Sequence, residues 1–156
     1  MKYLWCTVTT ETYVFFDFSI ISPYPKQYVN FYQAYTQAAQ SVHDHIAQSG
    51  DGPLDRGYWW MQPPNTNVDV FVQDSVGHMT YGILASTLDG LAEASLNYNK
   101  ANYPMVFQVN DGKWGEVGIG GAGMVIGQGA DQVCYYQMDS GGSKPCIDIE
   151  NRKVIN

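Results

Sequence analysis

Charge is what this sequence has least of. Asp, Glu, Lys and Arg together make up 15% of the 156 residues, against about a quarter in ordinary soluble domains. Only 8 are basic, they are scattered, and the net charge is −7. A phosphate backbone would be repelled, so nucleic-acid binding is not expected. An anionic membrane surface is disfavoured for the same reason. No apolar run approaches the roughly 18 residues of a membrane-crossing helix, so no membrane insertion is expected. Cysteine is sparse, at Cys6, Cys134 and Cys146. Catalytic signatures are missing too. There is no G-x-S-x-G elbow, no H-E-x-x-H, no C-x-x-C and no Walker loop. Neither a cofactor nor a metal is expected.

What remains is apolar, aromatic and amide-rich. Hydrophobic residues reach 45%, and Tyr alone occurs 12 times. The length suits one domain spanning residues 1–156, with a core of its own. Few charges and many tyrosines fit an extracellular protein, and secretion is the expected localisation. Lys2 and the apolar residues after it start like a signal peptide, but Glu11 and Asp17 interrupt the apolar stretch. The N-terminus is therefore read as a strand.

The clearest pattern runs from His78 to Gly123. Tyr81, Leu84, Leu88, Leu91, Ser95 and Tyr98 fall on one face of a helix, with Asp89, Glu93 and Asn97 opposite. The helix should begin near Met79 or Thr80 and stop at Asn99, Asn102 and Pro104. Met105, Phe107 and Val109 then alternate with Val106, Gln108 and Asn110, as in a strand. Asp111-Gly112 suits a type I′ turn. With that turn, Glu116 shares a face with Phe107, where desolvation would raise its pKa. A loop one residue longer turns Glu116 outward.

Upstream, Tyr13 to Ile21 alternates as a strand, with Val14, Phe16, Phe18 and Ile20 inward. Pro25 suits the first turn of a second helix. Tyr28, Phe31, Tyr32, Tyr35, Ala39, Val42 and Ile46 carry its apolar stripe, and Ser49-Gly50 ends it. Tyr58 to Met61 and Val68 to Gln73 read as further strands. Cys134 and Cys146 flank a predicted terminal hairpin around Ser140-Gly141-Gly142, and a disulfide between them is a candidate. Cys6 is left over. The expected fold is α+β. It is a two-layer sandwich in which a mainly antiparallel sheet of four to six strands carries both helices on one face. The element order is the split β-α-β, ferredoxin-like one, with a C-terminal hairpin added.

Candidate binding residues are few. Tyr58, Trp59 and Trp60 form the most unusual loop, beside Pro63 and Pro64. Adjacent tryptophans there could stack a sugar or anchor a protein, or simply close the sheet end. Glu116 joins them as a candidate, and Asp17, Asp69, Asp74 and Asp111 offer further carboxylates for glycoside chemistry. Gly118 to Gly123 matches G-x-G-x-x-G, but a poor helix former follows it, so a strand passing close to other backbone is the better reading. His43 and His45 lie two apart on a helix and point in different directions, so they cannot chelate one metal.

Met79, Thr80, Tyr81, Gly82, Leu84, Leu88, Gly90 and Leu91, followed by Phe107, Val109, Asp111, Gly112, Gly115, Glu116, Val117, Gly118 and Gly120, carry a family likeness. This segment resembles a loose group of small secreted fungal proteins of largely unassigned function. Their helix-on-sheet architecture is similar to that of fungal killer toxins and secreted effectors. The resemblance implies secretion and a non-catalytic role, and it transfers no functional residue. The expected function is a secreted interaction protein, effector- or toxin-like, with a protein or glycan surface as partner. Two alternatives stay open. One is a carbohydrate-binding module or small carboxylate hydrolase using the aromatic loop. The other is a self-assembling protein that pairs through a sheet edge.

Overall fold

The computed structural model describes residues 2–6, 10–17, 31–97, 105–124, 132–134, 146–148 and 153–155. Its elements run β1 (Lys2–Cys6), β2 (Thr12–Asp17), α1 (Phe31–Ser49), β3 (Tyr58–Met61), β4 (Val68–Asp74), α2 (Tyr81–Asn97), β5 (Met105–Asp111) and β6 (Gly115–Met124), then β7 (Gln132–Cys134), β8 (Cys146–Asp148) and β9 (Lys153–Ile155). Six strands form one sheet in the order β1-β2-β5-β6-β4-β3, every neighbouring pair antiparallel. The last three form a small sheet of their own, β7-β8-β9.

The expected α+β sandwich is what forms. Val14, Val68, Val70, Val72, Met105, Phe107, Val109 and Ala122 bury one face of the sheet against both helices, in one continuous core. The period of two on the strands puts those residues on the same side. From β2 to β5 the chain follows the expected β-α-β-β-α-β order, and β6 then enters between β4 and β5. Burial of Leu84, Leu88, Leu91, Phe31, Tyr35, Ala38 and Val42 supplies most of the helical contribution. Each Leu, Phe or Val among them is worth about 1.5–3 kcal/mol when fully removed from water.

Helix α2 starts within two residues of its expected position. Thr80 Oγ1 accepts from the Ile83 N–H at 3.2 Å, an N-cap contact. From another part of the chain, Asp51 Oδ1 accepts the Gly82 N–H at 2.7 Å. A carboxylate at a helix N-terminus meets unpaired N–H groups and the positive end of the dipole. The expected beginning of the first helix, around Pro25 and Tyr28, lies outside the described residues. So do Phe18 and Ile20, Tyr98, and Ser140 to Gly142.

The Asp111-Gly112 turn is not the two-residue turn expected. Asp111 faces Gly115 across the ladder, so Gly112, Lys113 and Trp114 make a three-residue loop. Gly115 takes φ 73°, which closes such a loop. The Asp111 carboxylate accepts the N–H groups of Lys113 at 2.9 Å and Trp114 at 3.2 Å, holding the turn from the side. The register then slips between Val109 and Asn110. Glu116 consequently faces Asn110 and is exposed, while Val117 is buried.

Candidate functional site

Strand β3 is an edge of the large sheet, and its four residues split between two surfaces. Trp59 pairs with Val72 and Met61 with Val70, so both point to the helix side, where they pack at the margin of the core. Tyr58 and Trp60 point to the helix-free face. The adjacent tryptophans therefore do different jobs, and no side chain from this strand is more than half uncovered.

On the helix-free face Trp60 stands beside Asp69 and Phe71. Phe71 is buried because Gly121 leaves room for its ring, and a Cβ there would come within 2.6 Å of it. Tyr58 stacks toward the same ring, with centroids 6.4 Å apart. Asp69 faces Gly123 on β6. It is 1% exposed, and neither carboxylate oxygen has a hydrogen-bond partner. Burial pushes its pKa up from 3.8 to about 7. The nearby indole of Trp60 opposes that rise, although Trp60 Nε1 does not reach hydrogen-bonding geometry and is itself buried without a partner.

On the helix side an open groove of about 480 Å³ separates β3 from α1. Met61 and Pro64 form one wall. Gln37, Gln40, Asp44 and Gln48 run along the other, at helical spacing. Gln40 Nε2 donates to Asp44 Oδ1 at 2.9 Å. Gln37 Oε1 is buried and accepts no hydrogen bond.

The two loops that bracket β3 are the strained ones. Among the described residues, the non-glycine positions with positive φ are Arg56 at 57°, Asn65 at 60° and Asn67 at 52°. Asn tolerates this conformation, but Arg does so at a cost. Thr66 Oγ1 donates to the Pro63 carbonyl at 2.7 Å and helps fix the second loop.

Of the residues singled out from sequence, Tyr58, Trp59 and Trp60 thus share one strand, and Glu116 lies elsewhere. Glu116 accepts from Gln108 Nε2 at 2.8 Å near the β5–β6 turn. On β6 it is seven residues from Gly123, the partner of Asp69, which is roughly 20 Å along the strand. That far exceeds the roughly 5–9.5 Å between paired glycosidase carboxylates. The G-x-G-x-x-G run is a central strand and not a strand-to-helix turn. His43 meets Asp89 at 2.9 Å, His45 stacks on Tyr81 at 4.0 Å, and His78 stacks on Trp114 at 3.9 Å. Among the described residues, no group of three His, Cys, Asp or Glu could hold a metal ion. Nor is any described helix long and apolar enough to cross a membrane. Cys134 and Cys146 are backbone partners on β7 and β8, and Cys6 is free and exposed.

Two features of this region carry little signal in the sequence. Asp69 was one carboxylate among several, and only the buried apolar run around it (Val68, Val70, Phe71) hinted at its burial. The glutamine stripe of α1 read as an ordinary solvated face. No family model, curated protein or solved structure matches the chain.

Proposed function

We propose that this chain is a secreted, non-enzymatic interaction protein that engages its partner at β3. One observation carries the reading: buried polar atoms without partners gather around this strand. Trp60 Nε1, both Asp69 oxygens and Gln37 Oε1 lie on it or beside it, while the Tyr35 hydroxyl, in the core, is a further such atom. Native structures leave few such atoms, because each costs about 1–3 kcal/mol. Their concentration at an edge strand, between strained loops, is what a surface waiting for complementary donors and acceptors would show. Secretion is supported by composition, and by the alignment of Cys134 with Cys146, which a disulfide in an oxidising compartment would need.

Binding is a better reading than hydrolysis because Asp69 and Glu116 are too far apart to act on one bond. Self-assembly through β3 is disfavoured because Asp44 lines the groove beside it, and two paired copies would bring the same negative charge together. The test is affinity capture of extracellular proteins by the full chain, beside Trp60→Ala and Trp114→Ala. Trp114 is exposed at the far hairpin. Capture should fall about tenfold or more with Trp60→Ala and stay unchanged with Trp114→Ala. Turnover of a defined small substrate, abolished by one substitution near Asp69, would sink the proposal. Glycan-array binding lost in Trp60→Ala would move it to a carbohydrate-binding module.

A further inference from the structure

We infer that the groove between α1 and β3 takes an extended, basic peptide, which adds to the large sheet as a strand beside β3. The inference rests on the interaction reading and names its partner class. β3 ends the sheet. In an antiparallel pair, alternate residues of an edge strand direct N–H and C=O outward, where an added strand can bind them; the Tyr58 N–H already donates to the Asp55 carbonyl, so the added strand binds from Trp60 onward. The four residues Tyr58–Met61 contain neither charge nor proline to prevent this.

The helix side supplies the second wall. Gln37 and Gln48, with Gln40 and Asp44 between them, lie eleven positions apart on α1, or roughly 16 Å of helix. That matches the roughly 13 Å of a four-residue strand plus one further side chain. A peptide lying between them would place every second side chain into the groove. There it meets amides that both donate and accept, together with the Asp44 carboxylate. Gln37 Oε1 has no donor and could accept from such a side chain. The intervening side chains would lie on the helix-free face near Trp60 and Tyr58, where Arg or an aromatic residue stacks well. Asp44 in the groove and a net charge of −7 favour Lys or Arg on the peptide. A second copy of the chain is a poorer occupant. Symmetric β3 pairing would bring two α1 helices toward each other with Asp44 on both.

The experiment selects random octapeptides displayed on phage against the immobilised full chain. The consensus peptide is then synthesised and titrated by calorimetry. Selected peptides should carry Lys or Arg at alternate positions. Methylating the peptide nitrogens one at a time should show a period of two: alternate N-methyl groups weaken binding about tenfold or more, and those between have little effect. Ser41→Trp, at an exposed helix position lining the groove, should weaken binding to a similar extent without changing the melting temperature. Asp44→Lys should do the same and shift a fresh selection toward acidic peptides. A selection that returns nothing overturns the inference. So does binding that survives Ser41→Trp, or N-methylation without periodicity, or concentration-dependent dimerisation that Ser41→Trp removes. None of these results touches the wider reading, which stands or falls on the Trp60→Ala capture comparison.

Discussion

Two hairpins of one sheet differ in how completely they pair their acidic residues: in β3–β4, Asp74 accepts three backbone N–H groups, but Asp69 accepts none. In β5–β6, Glu116 is exposed and accepts from Gln108, whose amide also donates to Asn110 at 3.3 Å. Asp111 is engaged by two backbone N–H groups. At the tip, Trp114 lies between the His78 ring and Lys113, whose Nζ sits 4.5 Å from its centroid. In β3–β4, Asp69 is buried among Val68, Val70 and Phe71 and has no partner, and the indole N–H of Trp60 beside it has none either. A hairpin whose polar atoms are satisfied internally is finished as a structural unit. The edge hairpin leaves Asp69 and the Trp60 indole N–H without such partners, so it carries a desolvation cost that the central hairpin does not.

The largest effect should come from the strand that joins the two. Gly120 lies between Phe107 and the Phe71 backbone, and a Cβ there would come within 2.6 Å of the Phe71 carbonyl oxygen. Neither a strand backbone nor a buried ring has room to retreat. Gly120→Ala should cost about 3 kcal/mol in urea unfolding, and a loss below about 1 kcal/mol would mean that the ladder relaxes freely.

Asp69→Asn should have the next largest effect, and in the stabilising direction. Between pH 3.8 and about 7 the folded chain holds a proton on Asp69 that the unfolded chain has released. This group's contribution is therefore most favourable below the unfolded pKa, declines as pH rises through the window, and is fully unfavourable above pH 7. The full shift corresponds to about 4 kcal/mol. The asparagine amide would still lack partners, which returns about half of that. Asp69→Asn should thus gain about 2 kcal/mol at pH 8, and its effects at pH 8 and pH 4 should differ by about 4 kcal/mol, because the amide's own cost does not change with pH. Equal effects at both pH values would show that Asp69 titrates normally.

The core half of this architecture was legible because it rests on periodicity. Leu84, Leu88 and Leu91 could only line one face of a helix, and Val68, Val70 and Val72 one face of a strand. The turn was misread because Asp-Gly serves two geometries. The choice between them depends on Gly115, whose positive φ lies three residues beyond the Gly112 that drew attention. The candidate site was half visible. Tyr58 to Trp60 announced themselves by composition, but their division between faces depends on strand pairing. Asp69 and Gln37 carry no local signal, because burial of a polar atom is set by elements far along the chain.

A cap contact should rank third. Asp51 reaches the N-terminus of α2 from the loop after α1, at 2.7 Å from the Gly82 nitrogen. Asp51→Ala should cost about 1 kcal/mol in thermal unfolding, as loss of a capping carboxylate does. The loss should shrink at high salt if the dipole contributes and persist if the hydrogen bond dominates.

Glu116→Gln should change least, and its smallness is what makes it useful. The side chain is exposed and its Gln108 contact lies at the surface, so substitution should move stability by less than about 0.5 kcal/mol at both pH 4 and pH 8. Set beside Asp69→Asn, it separates burial from mere acidity on the same face of the same sheet. A pH-dependent gain in both variants would point to overall charge repulsion in a chain of net charge −7. A gain confined to Asp69 ties the effect to its burial beneath Trp60 and not to the chain's overall charge.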